Sequence, residues 1–226
     1  MYFRAAIPFK MLFVMILITT ISRAQNPWKD VYSENAWEQR DTWQRADDII
    51  EKLSLKSGSN VADIGSHEGY FTMKLANEVG SEGLVYAVDV SRNKIAKLEE
   101  HLSNRKIKNV RAILGEENDP KLPEGMLDAV LIVDTYHEMD HYEAVLSHIL
   151  KSLRPQGRLV ICEPISQERK GLTRAEQERK HELAMNYALE DLQKAGFRII
   201  FQETNFVDRL KEKGDTMWLI VCEKYR

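Results

Sequence analysis

The sequence predicts an α/β fold: a seven-stranded, mostly parallel sheet with helices on both faces and an antiparallel last strand. Three observations predict it. From residue 60 onward, apolar strand-like runs alternate with single amphipathic helices, the pattern of a parallel sheet covered on both sides. Residues 61–72 read as an apolar strand running through a glycine-bearing turn into a helix start, with Asp89 closing the next apolar run. The last two apolar runs, 197–201 and 217–222, are joined by a short turn-forming stretch that has no room for a crossover helix, so they pair antiparallel.

The elements follow in order. A helical stripe at Ala36, Trp43, Ala46, Ile50 and Leu53 predicts a helix ended by Lys56-Ser57-Gly58-Ser59. Next come a strand over 60–65, a helix over 69–79 on Phe71, Leu75 and Val79, a strand over 83–89, and a helix over 92–103 on Ile95, Leu98 and Leu102. Strands at 109–114 and 127–134 precede a helix over 139–153 and a strand over 157–163. Thr173-Arg174-Ala175-Glu176 has the capping-box pattern and opens a long helix that Gly196 ends. The charged run 167–180 reads as a solvated helix face, and Trp37 and Trp43 as packing residues.

At 226 residues the chain has room for one sizeable α/β core, and 43% apolar with 30% charged residues is a globular composition. The first residues differ. Arg4 and Lys10 precede an uncharged run over 11–21, followed by Ser22-Arg23-Ala24. That run is too short to span a bilayer but suits the apolar region of a secretory signal. Residues 1–24 are therefore expected to be a signal peptide cleaved near Ala24, with an uncleaved membrane anchor as the alternative; either way the remainder is exported. Residues 25–35 read as a linker or arm and 36–226 as the domain. Removing Arg4, Lys10 and Arg23 from the 32 basic residues leaves 29 against 35 acidic ones, a net charge of −6 that argues against nucleic acid as a partner.

In open α/β sheets a ligand lies in the crevice beyond the strand C-termini, facing backbone N–H groups at a helix start. Asp89 would stand one strand over, able to accept from ribose hydroxyls. A nicotinamide-dinucleotide fingerprint would place glycines at 65, 67 and 70, but 67 is His and 70 is Tyr. An acidic residue followed by Gly65 and Gly69, with Asp89 downstream, resembles the first motif of class I S-adenosylmethionine-dependent methyltransferases. The likeness covers about residues 40–226, and it implies that the acceptor pocket comes from residues 25–45 and from the insertion after the fifth strand, residues 164–186. Gly115-Glu116 resembles the family's acidic position at the adenine, 133–139 the segment bordering donor and acceptor, 153–159 the turn before the fifth strand, and 40–44 a helix that lids the donor in part of the family. His67 departs from the motif, and Gln156 stands where a glycine is usual.

The resemblance implies a Rossmann-like fold, S-adenosylmethionine as methyl donor, a small-molecule acceptor and no metal. It places Asp63, Gly65, Ser66, His67, Gly69, Asp89, Val90, Glu116 and Asp134 at the donor. Gly65 and Gly69 would let the backbone approach it, Asp89 would hold the ribose and Glu116 the adenine. It places Asp134, Tyr136 and His137 at the reacting groups, with His137, titrating near neutrality, as a general base if one is used. His67 would carry a side chain where the backbone favours glycine. This leaves open a domain of the same fold that binds a ligand without transferring methyl groups. His137-Glu138-Met139-Asp140-His141 also matches H-E-x-x-H, the pattern of an exported zinc protease. Cys162 and Cys222 read as buried, inert thiols; the family topology would set their strands side by side, and export would permit a disulfide.

Overall fold

The computed structural model describes residues 32–225; the expected signal segment and residues 25–31 lie outside them. The chain opens with a 3-10 turn at Glu34–Ala36, α1 (Trp37–Asp41) and α2 (Ala46–Lys52). β1 (Asn60–Ile64), α3 (Tyr70–Val79), β2 (Leu84–Asp89), α4 (Arg92–Arg105), β3 (Val110–Leu114) and β4 (Leu127–Val133) alternate as the periodicity requires. After a 3-10 turn at Tyr136–Glu138 come α5 (Tyr142–Ser152) and β5 (Leu153–Ile165). The chain ends with α6 (Arg174–Glu178), α7 (Met185–Lys194), β6 (Phe197–Arg209) and β7 (Asp215–Lys224).

The strands form one sheet in the order β3-β2-β1-β4-β5-β7-β6. β1 to β5 pair in parallel, while β7 runs antiparallel to both β5 and β6. Strand alternation divides the core into two layers. Ala62, Val130 and Ile132 face Leu146 and Ile149 of α5 and Leu192 of α7. Val61, Ala129 and Leu131 face Ile49 of α2 and Phe71 and Leu75 of α3. Each such fully buried Leu or Ile contributes about 1.5–3 kcal/mol, so the central strands anchor the molecule.

Three expected helices are shorter or broken. The first divides at Thr42–Arg45, where Arg45 takes φ +51°, donates to the Phe206 carbonyl at 2.5 Å and covers the Phe206 ring; the break turns Trp43 and Gln44 inward. The expected helix from 139 starts at Tyr142, because Tyr136–Glu138 form a 3-10 turn. The long helix from 174 splits between Glu178 and Met185, where the Leu183 N–H bonds the Pro164 carbonyl instead of continuing the helix. Its capping box is present, with Glu176 accepting from both the N–H and the hydroxyl of Thr173.

Gln156 occupies the left-handed region at φ +66°, the conformation a glycine would adopt there more cheaply. The two cysteines are free and buried. Cys222 pairs in register with Leu159 and Cys162 with Leu219, an odd offset that puts the two thiols on opposite faces of the sheet. Adjacent strands therefore bring no disulfide.

Candidate active site

A cavity of about 790 Å³ opens beyond the C-terminal ends of β1, β2 and β4. Its donor-side wall is the loop after β1. Gly65 and Ser66 donate their N–H groups to the Val88 carbonyl at 2.8 and 3.0 Å, and the His67 N–H donates to Oδ2 of Asp89 at 3.0 Å. These N–H groups thus bind β2 and are turned away from the cavity, contrary to the expected donor-facing array. Asp89 Oδ1 accepts from the Ser91 N–H at 2.8 Å; each carboxylate oxygen keeps a second lone pair for a ligand hydroxyl.

Gly65 has φ +77°, and a Cβ there would lie 2.3 Å from the Thr135 side chain, so glycine is required by the approach of the segment after β4. Gly69 is required for a different reason than expected. It does not line the cavity; at φ +102° it starts α3, and a Cβ would meet Leu98 at 2.6 Å. His67 adopts φ +50° with its side chain present, tilting its ring against Tyr32 with centroids 5.7 Å apart. Burial, reinforced by Lys94, pushes its pKa down to about 4, so the ring is neutral.

Asp63 is buried at the end of β1 and accepts from the Thr72 hydroxyl at 2.6 Å, which ties the strand to α3. Burial raises its pKa from 3.8 to about 6 against the pull of Thr72 and Arg40. Val90 and Glu116 line the cavity, Val90 exposed and Glu116 ion-paired with Lys121 at 2.7 Å.

The segment after β4 behaves differently from expectation. Asp134 lines the cavity at φ +55°, but its Oδ2 receives the Tyr32 hydroxyl at 2.5 Å, Arg209 at 2.7 Å and Lys213 at 3.5 Å. Burial alone would raise its pKa; Arg209 and Lys213 hold it well below the usual carboxylate range. An anion so engaged ties the fold together and does not move protons. Tyr136 is removed from the site altogether: it is fully buried, does not line the cavity, and bonds Asp191 at 3.0 Å.

His137 does border the cavity, with Nδ1 2.5 Å from Glu163. Burial disfavours its charge, but Glu163, Glu138 and Asp134 outweigh burial and raise its pKa to about 10, so it does not titrate near neutrality. The H-E-x-x-H match is not a helical zinc pair either. His137 lies in a 3-10 turn and His141 precedes α5, so no helix displays both on one face.

Several lining residues escaped the sequence reading. Tyr32 belongs to the expected linker, yet its ring and hydroxyl close the cavity beside His67 and Asp134. Arg40 is buried on α1, its guanidinium 4.2 Å from the Tyr70 ring centroid. Arg209, Lys213 and Asp215 come from the β6–β7 hairpin, and His181 from the break between α6 and α7. The 167–180 run, read as a solvated face at a point where the family often shapes its acceptor pocket, supplies Arg169 and Lys180 to the wall.

The cavity fits the nucleoside end of a ligand on one observation of its own. Among the described residues, Ser66 Oγ and His67 Nδ1 are buried and have no hydrogen-bond partner, and both belong to the loop beside Asp89.

A family model described as a methyltransferase domain matches residues 55–220, and the chain belongs to that family. The fold is that of class I S-adenosylmethionine-dependent methyltransferases. A methyltransferase of that type from Aquifex aeolicus superposes with TM-score 0.69 at 22% identity, covering 82% of this chain and 92% of its own. A demethylmenaquinone methyltransferase of Geobacillus sp. (strain WCH70) is 26% identical over 117 residues, 52% of this chain and 50% of the relative. A ubiquinone/menaquinone biosynthesis C-methyltransferase of Pseudomonas savastanoi is 28% identical over 122 residues, 54% and 47% of the two chains. The chain thus spans about half the length of the curated relatives it matches.

Proposed function

We propose that this chain transfers a methyl group from S-adenosylmethionine to a small-molecule acceptor. The observation that carries the reading is the loop 65–67 locked to Val88 and Asp89 at the mouth of a cavity beyond the strand ends, with unpartnered polar atoms of Ser66 and His67 beside it. When bound, the donor supplies a methyl group on a positively charged sulfur, transferred by in-line displacement. The chain's residues have to hold the two reactants in line and keep water out, because alignment supplies much of such a rate.

Asp89 would accept from the ribose hydroxyls, Glu116 would accept from the adenine amino group, and Val90 would cover the base. Arg40 and Tyr32 close the cavity above the loop. Acceptor contacts would come from the opposite wall, where His137, Glu138, Met139 and His181 meet. Against its burial, Glu163, Glu138 and Asp134 raise the His137 pKa to about 10, so at neutral pH the ring is charged and is not available as a general base. One relative's name describes C-methylation in ubiquinone and menaquinone biosynthesis, which supports placing quinols among the acceptors tested.

Calorimetric titration of the purified chain with S-adenosylmethionine and S-adenosylhomocysteine tests the reading, followed by turnover on a panel of phenols, quinols and amines. Micromolar binding with transfer to one of them is expected; absence of binding overturns it. Binding with no transfer to any acceptor would favour a ligand-binding domain of this fold. We also propose export directed by residues 1–24, on the sequence pattern alone, to be checked by N-terminal sequencing of the secreted or periplasmic fraction.

A further inference from the structure

His137 is oriented by a carboxylate that is itself fixed. Glu163 is fully buried and accepts from the backbone N–H groups of Thr135 and Tyr136 at 2.6 and 2.9 Å, while its other oxygen lies 2.5 Å from His137 Nδ1. The ring cannot turn without breaking that bond. Nε2 is therefore the nitrogen presented to the cavity wall, 3.6 Å from Oε1 of Glu138. The same Glu138 oxygen lies 3.0 Å from His181 Nδ1, and one ligand atom from each of the three residues lies within 4.8 Å of the others.

We propose that His137, Glu138 and His181 bind one divalent transition-metal ion of the zinc class, which takes the place of the Nε2 proton of His137 and releases it to solvent, with open coordination positions for an oxygen of the methyl acceptor. Two imidazoles and one carboxylate suit such an ion, whereas magnesium and calcium prefer sites built mainly of oxygen. A metal-bound histidine usually gives its other ring nitrogen to a carboxylate, which is the relation of Glu163 to His137. Tetrahedral bonds of about 2.0–2.1 Å set ligand atoms about 3.3 Å apart. The observed 3.0 and 3.6 Å separations bracket that spacing, and rotation of the exposed His181 ring closes the remaining gap.

The segment carrying His181 is held in place from behind. Buried Gln177 donates to the carbonyls of Arg169 and Leu172 at 2.9 and 3.1 Å and accepts from the Ala184 N–H at 2.7 Å. Glu182 accepts from the N–H and hydroxyl of Ser166, both at 2.9 Å. His181 itself sits at φ +57°, in the left-handed region. An exposed Glu138–His181 ion pair is worth little alone and would need neither this bracing nor a locked His137. The H-E pair of the sequence motif thus finds its partner in His181, 43 residues beyond Glu138, where the sequence reading expected no metal.

Only the identity of the open-position ligand rests on the methyl-transfer reading. The test titrates the full, untagged chain with zinc chloride and magnesium chloride by calorimetry and records visible absorption with cobalt chloride. One zinc per chain at micromolar affinity or tighter is expected, with no comparable magnesium binding and with the visible bands of low-coordinate cobalt. His181→Ala, at a side chain 75% exposed, is expected to keep the parent's melting temperature and lose at least tenfold in zinc affinity. Glu163→Gln is expected to lose about 10–100-fold. Absence of saturable zinc binding, or a His181→Ala variant that binds zinc as the parent does, overturns the site. S-adenosylmethionine titrated into the same metal-free chain separates the two readings: zinc without donor binding overturns methyl transfer alone, and donor without zinc binding overturns the metal site alone.

Discussion

Asp134 and Arg209, 75 residues apart in the chain, form a buried ion pair at 2.7 Å that joins the end of β4 to the end of β6. Arg209 also grips Asp215 through Nε at 2.5 Å and Nη2 at 3.2 Å, so one guanidinium bridges two carboxylates. Tyr32 and Lys213 complete the cluster on Asp134. The N-terminal segment, the central strand and the terminal hairpin therefore meet at one charge centre on the cavity wall.

Removing one partner of a buried ion pair leaves the others uncompensated, at a cost of about 3–5 kcal/mol. Arg209→Met is expected to lower the unfolding free energy by that amount in urea titrations. Adding Asp134→Asn should return part of the loss, because it removes the stranded charge. Additive losses in the double variant would mean that the two residues are not coupled.

Asp63 gives a pH signature. Its pKa is raised by burial from 3.8 to about 6, so the folded state binds the proton more tightly than the unfolded one. Stability from this group is fully present below about pH 4 and is lost as pH rises through 6, by about 3 kcal/mol at roughly 1.4 kcal/mol per pH unit. Asp63→Asn can still accept from Thr72 and carries no charge. Relative to the parent it should gain stability between pH 4 and 7 by up to that amount, and the two urea midpoints should converge near pH 4. A difference constant across this range would remove the assignment.

What was legible in the sequence divides by range. The sheet, its antiparallel closing pair, the loop after β1 and Asp89 were legible because each is written in contiguous residues: an apolar period, a glycine at a turn, an acid at a strand end. Gly69 was legible as a glycine but misread as to cause, since its contact is Leu98 on the next helix. Tyr32, Arg40, Arg209 and Lys213 reach the cavity from segments whose local pattern is merely polar. Nothing in periodicity says which charges converge across 75 residues or more. The apolar pair Phe206-Val207 is the signal that could have lengthened the last hairpin toward Arg209. His181 was hidden by reading 174–196 as one helix, where the structure breaks it.

The loop after β1 makes an ordered prediction about two neighbours. At Gly65, alanine would face both φ +77° and a Thr135 side chain at 2.3 Å, so Gly65→Ala should cost about 2–4 kcal/mol and abolish donor binding. His67 already bears its side chain in the left-handed region. His67→Gly relieves about 1 kcal/mol of strain and loses the Tyr32 ring contact, leaving stability within about 1 kcal/mol of the parent. Thermal melting and donor calorimetry rank the pair; a His67→Gly loss larger than that of Gly65→Ala would contradict the loop geometry.

The two cysteines, although on paired strands, should behave as independent buried thiols even in an oxidising compartment. Their register places Cys162 among the residues facing α2 and α3, and Cys222 among those facing α5 and α7. A disulfide needs Cβ atoms about 3.8 Å apart, which side chains on opposite faces of a sheet cannot supply without rebuilding the strand. Burial pushes both thiols above their ordinary pKa, so little thiolate is present to react. A thiol reagent at pH 8 is expected to modify neither cysteine in the native protein and both, the 2 in the sequence, in guanidinium. The same two equivalents should be recovered after incubation with oxidised glutathione, followed by denaturation. Loss of both thiols under that treatment, with the mass lower by two hydrogens and no glutathione attached, would signify an intramolecular bridge and would be incompatible with the β5–β7 register.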